Sequence, residues 1–156
     1  MTKTEIIQSI IHNLKQDLSQ AIMAAEEAMK GATHAESKAE TQYDTIGLEH
    51  AYLAEGQSRR IDELGAQITK LDNWKAPDFK PEQDIYLGAL VGLVSIQGDK
   101  ELNVFLAPAG GAQKVIEIKL QVITPETPLG QLLIGRGLGD TITLPNGDHY
   151  EIHSLC

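Results

Sequence analysis

The chain has 156 residues, of which 42% are hydrophobic and only 4% aromatic, and its formal net charge is −9. This length suits one medium domain or two small ones, and the acidic balance argues against a general nucleic-acid binder, which needs a basic face. The one cysteine, Cys156, cannot form an internal disulfide, and no apolar stretch is long enough to cross a membrane. These features, with an N-terminus unlike a signal peptide, predict a protein of the reducing cytoplasm.

Composition divides the chain into two halves. Residues 1–75 contain no proline and only four glycines, whereas the remainder contains all six prolines and ten of the fourteen glycines. Pro77 and Pro81 end any helix that reaches them. The sequence therefore predicts a helical domain over 1–75, a linker over 76–83 and a β-rich domain over 84–156.

The first predicted element is a long helix whose apolar residues alternate four and three positions apart. They are Ile7, Ile11, Leu14, Leu18, Ala21, Ala25, Ala28 and Ala32. This is an a/d seam sustained over about four heptads. The seam predicts a helix of roughly 28 residues and about 40 Å. The stripe is too narrow to be a broad apolar face, so the helix requires a partner helix.

A second helix is predicted from about Thr45 to Leu71. Its inner positions are Leu48, Ala51, Ala54, Ile61, Leu64, Ile68 and Leu71. The large side chains fall at the end of this helix and at the start of the first, so antiparallel pairing puts large residues beside large ones. We therefore predict an antiparallel coiled-coil hairpin that projects as a thin element. The alternative is a coiled coil that dimerises.

The second half is predicted to be a small antiparallel sheet with one short helix. The predicted strands are 85–96 with a bend or bulge at Gly88 and Gly92, 103–107, an alternating run over 115–123, 141–144 and 149–155. The helix is Leu129 to Ile134, and Asn146-Gly147 marks a hairpin turn. Together these elements predict an α+β fold.

The predicted turn between the two helices is acidic. Glu36, Glu40 and Asp44 are spaced four apart, so in a helix they would line one face. The window 26–55 carries seven acidic and two basic residues, a net charge of −5. The common cause of such a run is a solvated helix face.

Helix capping is an alternative role for the same residues. Three pairs match the capping-box pattern: Thr33 with Glu36, Ser37 with Glu40, and Thr41 with Asp44. Asp44 is also placed to cap the second helix. Capping and a functional contact can coexist.

Four stretches carry a resemblance to a known family. The segment 124–142, TPETPLGQLLIGRGLGDTI, resembles the C-terminal signature of Gre-type bacterial transcription elongation factors. The closing NGDHYEI of 146–152 is similar to the last hairpin of that family, and AYLAEGQ at 51–57 and RIDEL at 60–64 resemble its second helix. The resemblance covers nearly the whole chain.

The resemblance implies a fold and a function. The fold would be an N-terminal helical hairpin followed by an FKBP-like domain, in a monomer. Such factors are not enzymes: they dock on RNA polymerase through the C-terminal domain, insert the hairpin into the secondary channel and touch RNA only indirectly. The corresponding tip residues here are Asp44, Glu40 and Glu36. Asp44 and Glu40 would hold Mg²⁺ only jointly with the polymerase, and no cofactor of the chain's own is implied.

The tip departs from the pattern of the cleavage factors. Those factors carry an Asp and a Glu a few residues apart, followed by an asparagine-rich stretch that this chain lacks. An adaptor or structural protein with the same shape and another partner is therefore a second hypothesis. A prolyl isomerase is a third, although such an enzyme needs an aromatic-lined pocket and residues 76–156 hold only Phe79, Tyr86, Phe105 and Tyr150.

Overall fold

The computed structural model describes the backbone of residues 1–38 and 46–156 and the side chains of residues 1–31 and 55–156. The helices are α1 (Lys3–Lys38), α2 (Ile46–Asp72) and α3 (Pro128–Leu133). The strands are β1 (Leu90–Ser95), β2 (Glu101–Leu106), β3 (Lys114–Val115), β4 (Leu120–Ile123), β5 (Thr141–Thr143) and β6 (His149–Leu155). The predicted α+β class is confirmed.

The chain forms two compact units. One comprises Met1–Ile11 and Lys70–Cys156, and the other comprises His12–Thr69. The first unit therefore contains the start of α1 and the end of α2 as well as the sheet, a different division from the predicted domains 1–75 and 84–156.

The predicted heptad seam of α1 is the side that is buried. Among its described members, Ile7, Ile11, Leu14, Ala21 and Ala28 are buried, and the other two are half-buried. On α2, the seam residues at 64 and 71 are buried and those at 61 and 68 are half-buried.

The start of α1 departs from the predicted narrow stripe. Ile6 and Ile10 are also buried, with 1% and 0% of their surface exposed, so the first turns present a broad apolar face. The prediction that the helix lacks such a face is wrong here, because these turns pack within the unit that contains the sheet. The doubled pairs Ile6-Ile7 and Ile10-Ile11 were the signal in the sequence.

A capping box that the sequence analysis did not identify begins α1. The Glu5 N–H donates to Thr2 Oγ1 at 3.2 Å, and the Thr2 N–H donates to Glu5 Oε2 at 2.6 Å. This reciprocal pair satisfies two backbone donors at the helix start. The backbone hydrogen bond from Thr2 holds the pKa of Glu5 below its usual range.

Lys3 ties the start of α1 to the segment that follows α2. Its Nζ donates to the carbonyl oxygen of Pro77 and lies 4.9 Å from the centre of the Phe79 ring. Partial burial lowers the pKa of Lys3, although nearby negative charges oppose the effect. A cation over an aromatic face is an attractive contact, so this segment is held at a defined place.

The six strands form one sheet in the order β3-β4-β2-β1-β6-β5. The sheet is mixed: β2 and β4 run parallel, with Asn103 opposite Leu120, and all other pairs are antiparallel. The prediction of a wholly antiparallel sheet is therefore wrong in this one pair. The turn at 108–111 leads from β2 to β3 and not to a strand that pairs with β2. The chain then continues to β4, which pairs with β2 in the parallel direction.

Both faces of the sheet are covered near β2. Val104 and Leu106 belong to a core cluster that also includes Leu133 of α3. Phe105 points to the opposite face because side chains alternate along a strand, and its ring lies 6.0 Å from that of Trp74 at a tilt of 45°. Apolar packing therefore fixes the sheet from two sides.

The first predicted strand is shorter than expected. Only Leu90–Ser95 of the run 85–96 is a strand, because the chain turns at Gly88, which has φ of 98°. A Cβ on Gly88 would stand 2.4 Å from Cδ of Pro77, so only glycine fits there. The predicted bulge is present at Gly92/Leu93, where the register with β6 shifts.

The alternating run over 115–123 is not one strand. β3 ends at Val115, a 3₁₀ turn covers Ile116–Ile118, and Lys119 adopts φ of 50° before β4 begins. Ile116 is 81% exposed, whereas alternation predicts that it shares a buried face with Leu120. The prediction is wrong because the turn reverses the chain and lets β3 pair with β4.

Candidate functional site

The predicted acidic tip falls largely outside the described part of the chain. Glu36 lies on α1, and Glu40 and Asp44 lie outside the described residues. Because α1 continues to Lys38, Thr33 is inside a helix and does not cap one. The capping-box prediction for Thr33 and Glu36 is therefore wrong. Among the described residues, no three His, Cys, Asp or Glu side chains are grouped to hold a metal ion.

The segment with the family resemblance begins with a capped helix. Thr127 Oγ1 accepts a hydrogen bond from the Gly130 N–H at 3.1 Å and donates one to the Thr124 carbonyl at 2.7 Å. Pro128 occupies the first turn of α3, where its missing N–H is not needed. These three residues fix where α3 begins and how it leaves β4.

The loop after α3 is held by backbone hydrogen bonds. The Ile85 N–H donates to the Arg136 carbonyl at 2.7 Å, and the Gly135 N–H donates to the Ile85 carbonyl at 2.9 Å. Asp140 Oδ2 accepts from the Gly137 N–H at 2.8 Å. Gly135 and Gly139 have φ of 81° and 87°, a conformation that favours glycine. The glycines and the aspartate of the loop 135–140 therefore have identifiable structural roles.

We call the hydrogen-bonded contact between Ile85 and the loop 135–140 the junction. Three exposed side chains belong to it or adjoin it in sequence: Tyr86 is 57% exposed, Leu138 is 44% exposed, and Arg136 is also exposed. Exposed aromatic residues and arginines are enriched at protein interfaces. The junction therefore offers a candidate contact surface on a fixed backbone.

The β1–β2 turn is organised around Ser95. Its buried hydroxyl donates to Asp99 Oδ1 at 2.6 Å and accepts from the N–H groups of Asp99 and Lys100, each at 3.1 Å. The Ser95 hydroxyl hydrogen bond holds the pKa of Asp99 below its usual range. Lys100 lies 3.5 Å from Asp148 of the next hairpin, so the two turns meet.

A groove opens where β3 turns into β4. It holds about 300 Å³. Its apolar lining is Leu102, Val115, Ile116 and Leu120, and its polar lining is Lys114, Lys119 and Gln121. We call this feature the Ile116 groove. Sequence reasoning missed it because the alternation over 115–123 assigned Ile116 to a buried face.

None of the described elements is suited to cross a membrane, since neither long helix contains an apolar stretch of the required length.

Comparison with known proteins gave the following matches. No protein-family model and no curated protein matches the chain. Among solved structures, it is similar to GreA factor homolog 1 (Gfh1) of Thermus thermophilus, at 22% identity over 94% of each chain with a TM-score of 0.40. Gfh1 of Thermus aquaticus is 22% identical over 92% of each chain, with a TM-score of 0.40. Transcription elongation factor GreA/GreB from Nitrosomonas europaea is 17% identical over 69% of this chain and 91% of that chain, with a TM-score of 0.39.

Proposed function

We propose that this chain is an accessory regulator of bacterial RNA polymerase with no catalytic centre of its own. Its C-terminal domain docks on the polymerase, and its helical hairpin enters the secondary channel. There the tip affects elongation or the cleavage of backtracked RNA.

The observation that carries the proposal is how the Gre-like segment is built. Thr127 caps α3, Gly135 and Gly139 take left-handed conformations, and Asp140 binds back to Gly137. Each of these shared residues has a structural role here, which supports a Gre-like fold for this segment. The proposed use of the domain follows the function of the family that the segment resembles.

The lengths of the helices support the proposed insertion. α1 has 36 residues and α2 has 27, which correspond to about 54 Å and about 40 Å at 1.5 Å per residue. The window 26–55 carries a net charge of −5. Negative charge at the end of a long helical element would be attracted to a site that holds metal cations.

The proposed chemistry belongs to the polymerase. Mg²⁺ takes oxygen ligands and is usually bound by one or two carboxylates together with phosphates, and a pair of metal ions stabilises both oxygens of an in-line displacement. Asp44 and Glu40 would add carboxylate ligands to an ion that the polymerase and its RNA already hold. Glu36 would contact the same region.

A binding and cleavage experiment with the full chain tests the proposal. The first turns of α1 contain buried Ile6 and Ile10, so a truncation at residue 75 would remove part of the core. We expect the chain to bind bacterial core RNA polymerase in a pull-down and to change the rate of RNA cleavage in a backtracked complex. Failure to bind would refute the proposal and favour the adaptor hypothesis. Binding without any effect on elongation or cleavage would refute its functional part.

A further inference from the structure

Asn146 is followed by a glycine in the turn between β5 and β6, an order that favours spontaneous deamidation. In that reaction the backbone nitrogen of the next residue attacks the asparagine side-chain carbonyl carbon, and glycine has no Cβ to hinder the approach. The other asparagines, at positions 13, 73 and 103, are followed by leucine, tryptophan and valine. Asn146 is also exposed, so sequence and position both single it out for this chemistry.

The turn holds the attacking nitrogen in a hydrogen bond. The Gly147 N–H donates to the Leu144 carbonyl at 2.9 Å, and the Leu144 N–H donates to the Asp148 carbonyl at 2.8 Å. Pro145 and Gly147 occupy the second and fourth positions of the turn that begins at Leu144, where these residue types are favoured. Because the nitrogen must lose its proton and leave the Leu144 carbonyl before it can attack, the closed turn opposes deamidation.

Asp148 holds the side chain that would be attacked. The Asp148 N–H donates to Asn146 Oδ1 at 3.0 Å, and Asn146 Nδ2 donates to Asp148 Oδ2 at 3.1 Å. Both polar atoms of the amide are therefore bound to one residue. These bonds restrict the side-chain rotation that closure of a ring with the Gly147 nitrogen requires.

We propose that Asn146 is a deamidation site that Asp148 guards in the folded hairpin. The reaction proceeds when the turn opens, and exposed turns open more readily than core strands. The Gly147 nitrogen then loses its proton, bonds to Cγ of Asn146 and displaces the side-chain nitrogen as ammonia. Water, the one co-reactant, opens the cyclic imide at either carbonyl and leaves aspartate or isoaspartate at position 146. No oxidant or reductant takes part.

Deamidation would alter the contact between two turns. Asp148 also lies 3.5 Å from Lys100 of the β1–β2 turn. A carboxylate at position 146 lacks the Nδ2 donor and brings a second negative charge close to Asp148, which is unfavourable. Isoaspartate also lengthens the backbone of the turn. The modified hairpin would therefore hold Asp148 less firmly, whether or not the chain acts on a polymerase.

Peptide mapping of the full-length chain by mass spectrometry measures the reaction. The parent and Asp148→Ala are incubated in a mildly alkaline buffer, with and without urea, and the deamidated fraction at position 146 is followed over time. We expect folded Asp148→Ala to react between about twofold and about tenfold faster than the folded parent, the effect of one net hydrogen bond on the population of the open turn. In urea the two rates should agree, because neither chain keeps the turn.

Two further variants separate the guard from a general loss of stability. Lys100→Met breaks the ion pair with Asp148 but keeps both bonds to Asn146, so it should react like the parent. Asp148→Asn keeps an acceptor for Asn146 Nδ2 and should also stay protected. A rate for either variant that matches Asp148→Ala would refute the role of Asp148, as would equal rates for the folded parent and Asp148→Ala.

The parent alone tests the protection if Asp148→Ala does not fold. The folded parent should deamidate at position 146 more slowly than the parent in urea. Equal rates in the two conditions would overturn the proposal, because the folded turn would then offer no protection to Asn146.

Discussion

Gly130 lies directly against the main chain of Thr124: a Cβ on Gly130 would stand 2.1 Å from the Thr124 carbonyl oxygen. Contacts under 3.0 Å require a shift, and here the opposing atom is backbone. The same carbonyl accepts the Thr127 hydroxyl at 2.7 Å. The close approach of α3 to the end of β4 therefore depends on the absence of a side chain at position 130.

We predict that Gly130→Ala destabilises the protein. The added methyl group would push α3 away from Thr124 and disturb the Thr127 cap, and overpacking of this kind costs about 1–3 kcal/mol. Urea denaturation followed by circular dichroism measures the loss. An unchanged midpoint would mean that α3 moves without cost and that the close approach is unimportant.

In contrast, we predict that Gly65→Ala in α2 stabilises the protein. Gly65 lies inside the helix, and a Cβ there would meet nothing within 4 Å. Because glycine in a helix interior is less favourable than alanine by roughly 0.5–1 kcal/mol, the substitution should raise the urea midpoint. It also serves as the control for Gly130→Ala, since both variants add one methyl group. A lower midpoint would show that α2 needs glycine at this position.

The Ser95–Asp99 pair predicts an acid-dependent contribution to stability. The hydrogen bond from Ser95 lowers the pKa of Asp99 from its usual 3.8. A carboxyl group with a lowered pKa in the folded state stabilises it above the unfolded-state pKa, and this stabilisation is lost as pH falls through the folded-state pKa. Ser95→Ala should therefore raise the pKa of Asp99 towards 3.8.

An NMR titration of the Asp99 side-chain carboxyl carbon measures this change. Ser95→Ala should also remove some of the acid dependence of the unfolding midpoint, as Asp99→Asn should. An Asp99 titration that is the same in parent and Ser95→Ala would contradict the assigned cause.

We predict that removing the charge of a tip residue, Glu36, Glu40 or Asp44, changes the function of the protein without changing its fold. Asp44→Asn should leave the melting temperature almost unchanged, because Asn caps a helix about as well as Asp. It should alter the response of a backtracked polymerase complex, as should Glu40→Gln and Glu36→Gln. Glu63→Gln, at an exposed position of α2 outside the acidic window 26–55, is the matched loss of one charge away from the tip. If Asp44→Asn acts on polymerase like the parent, Asp44 has no part in the function.

Local patterns in the sequence determined much of the architecture. The heptad seam around Leu14 and Ala21 predicted which side of α1 is buried, and the helix predicted from Leu129 to Ile134 lies within one residue of α3 at each end. Asn146-Gly147 likewise predicted the last hairpin, where Gly147 has φ of 91°. These features succeed because helix periodicity, capping and tight turns depend on residues that are a few positions apart.

Only the tertiary structure decided the features that depend on distant partners. Alternation placed Ile116 on a buried face, but pairing of β3 with β4 reverses the chain there and exposes it. Ile6 and Ile10 became buried because the first turns of α1 pack within the unit that contains the sheet, and β4 runs parallel to β2 although the sequence suggested a wholly antiparallel sheet. A hydrophobic pattern specifies which side chains favour burial, whereas the segments that cover them are fixed by contacts between parts of the chain far apart in sequence.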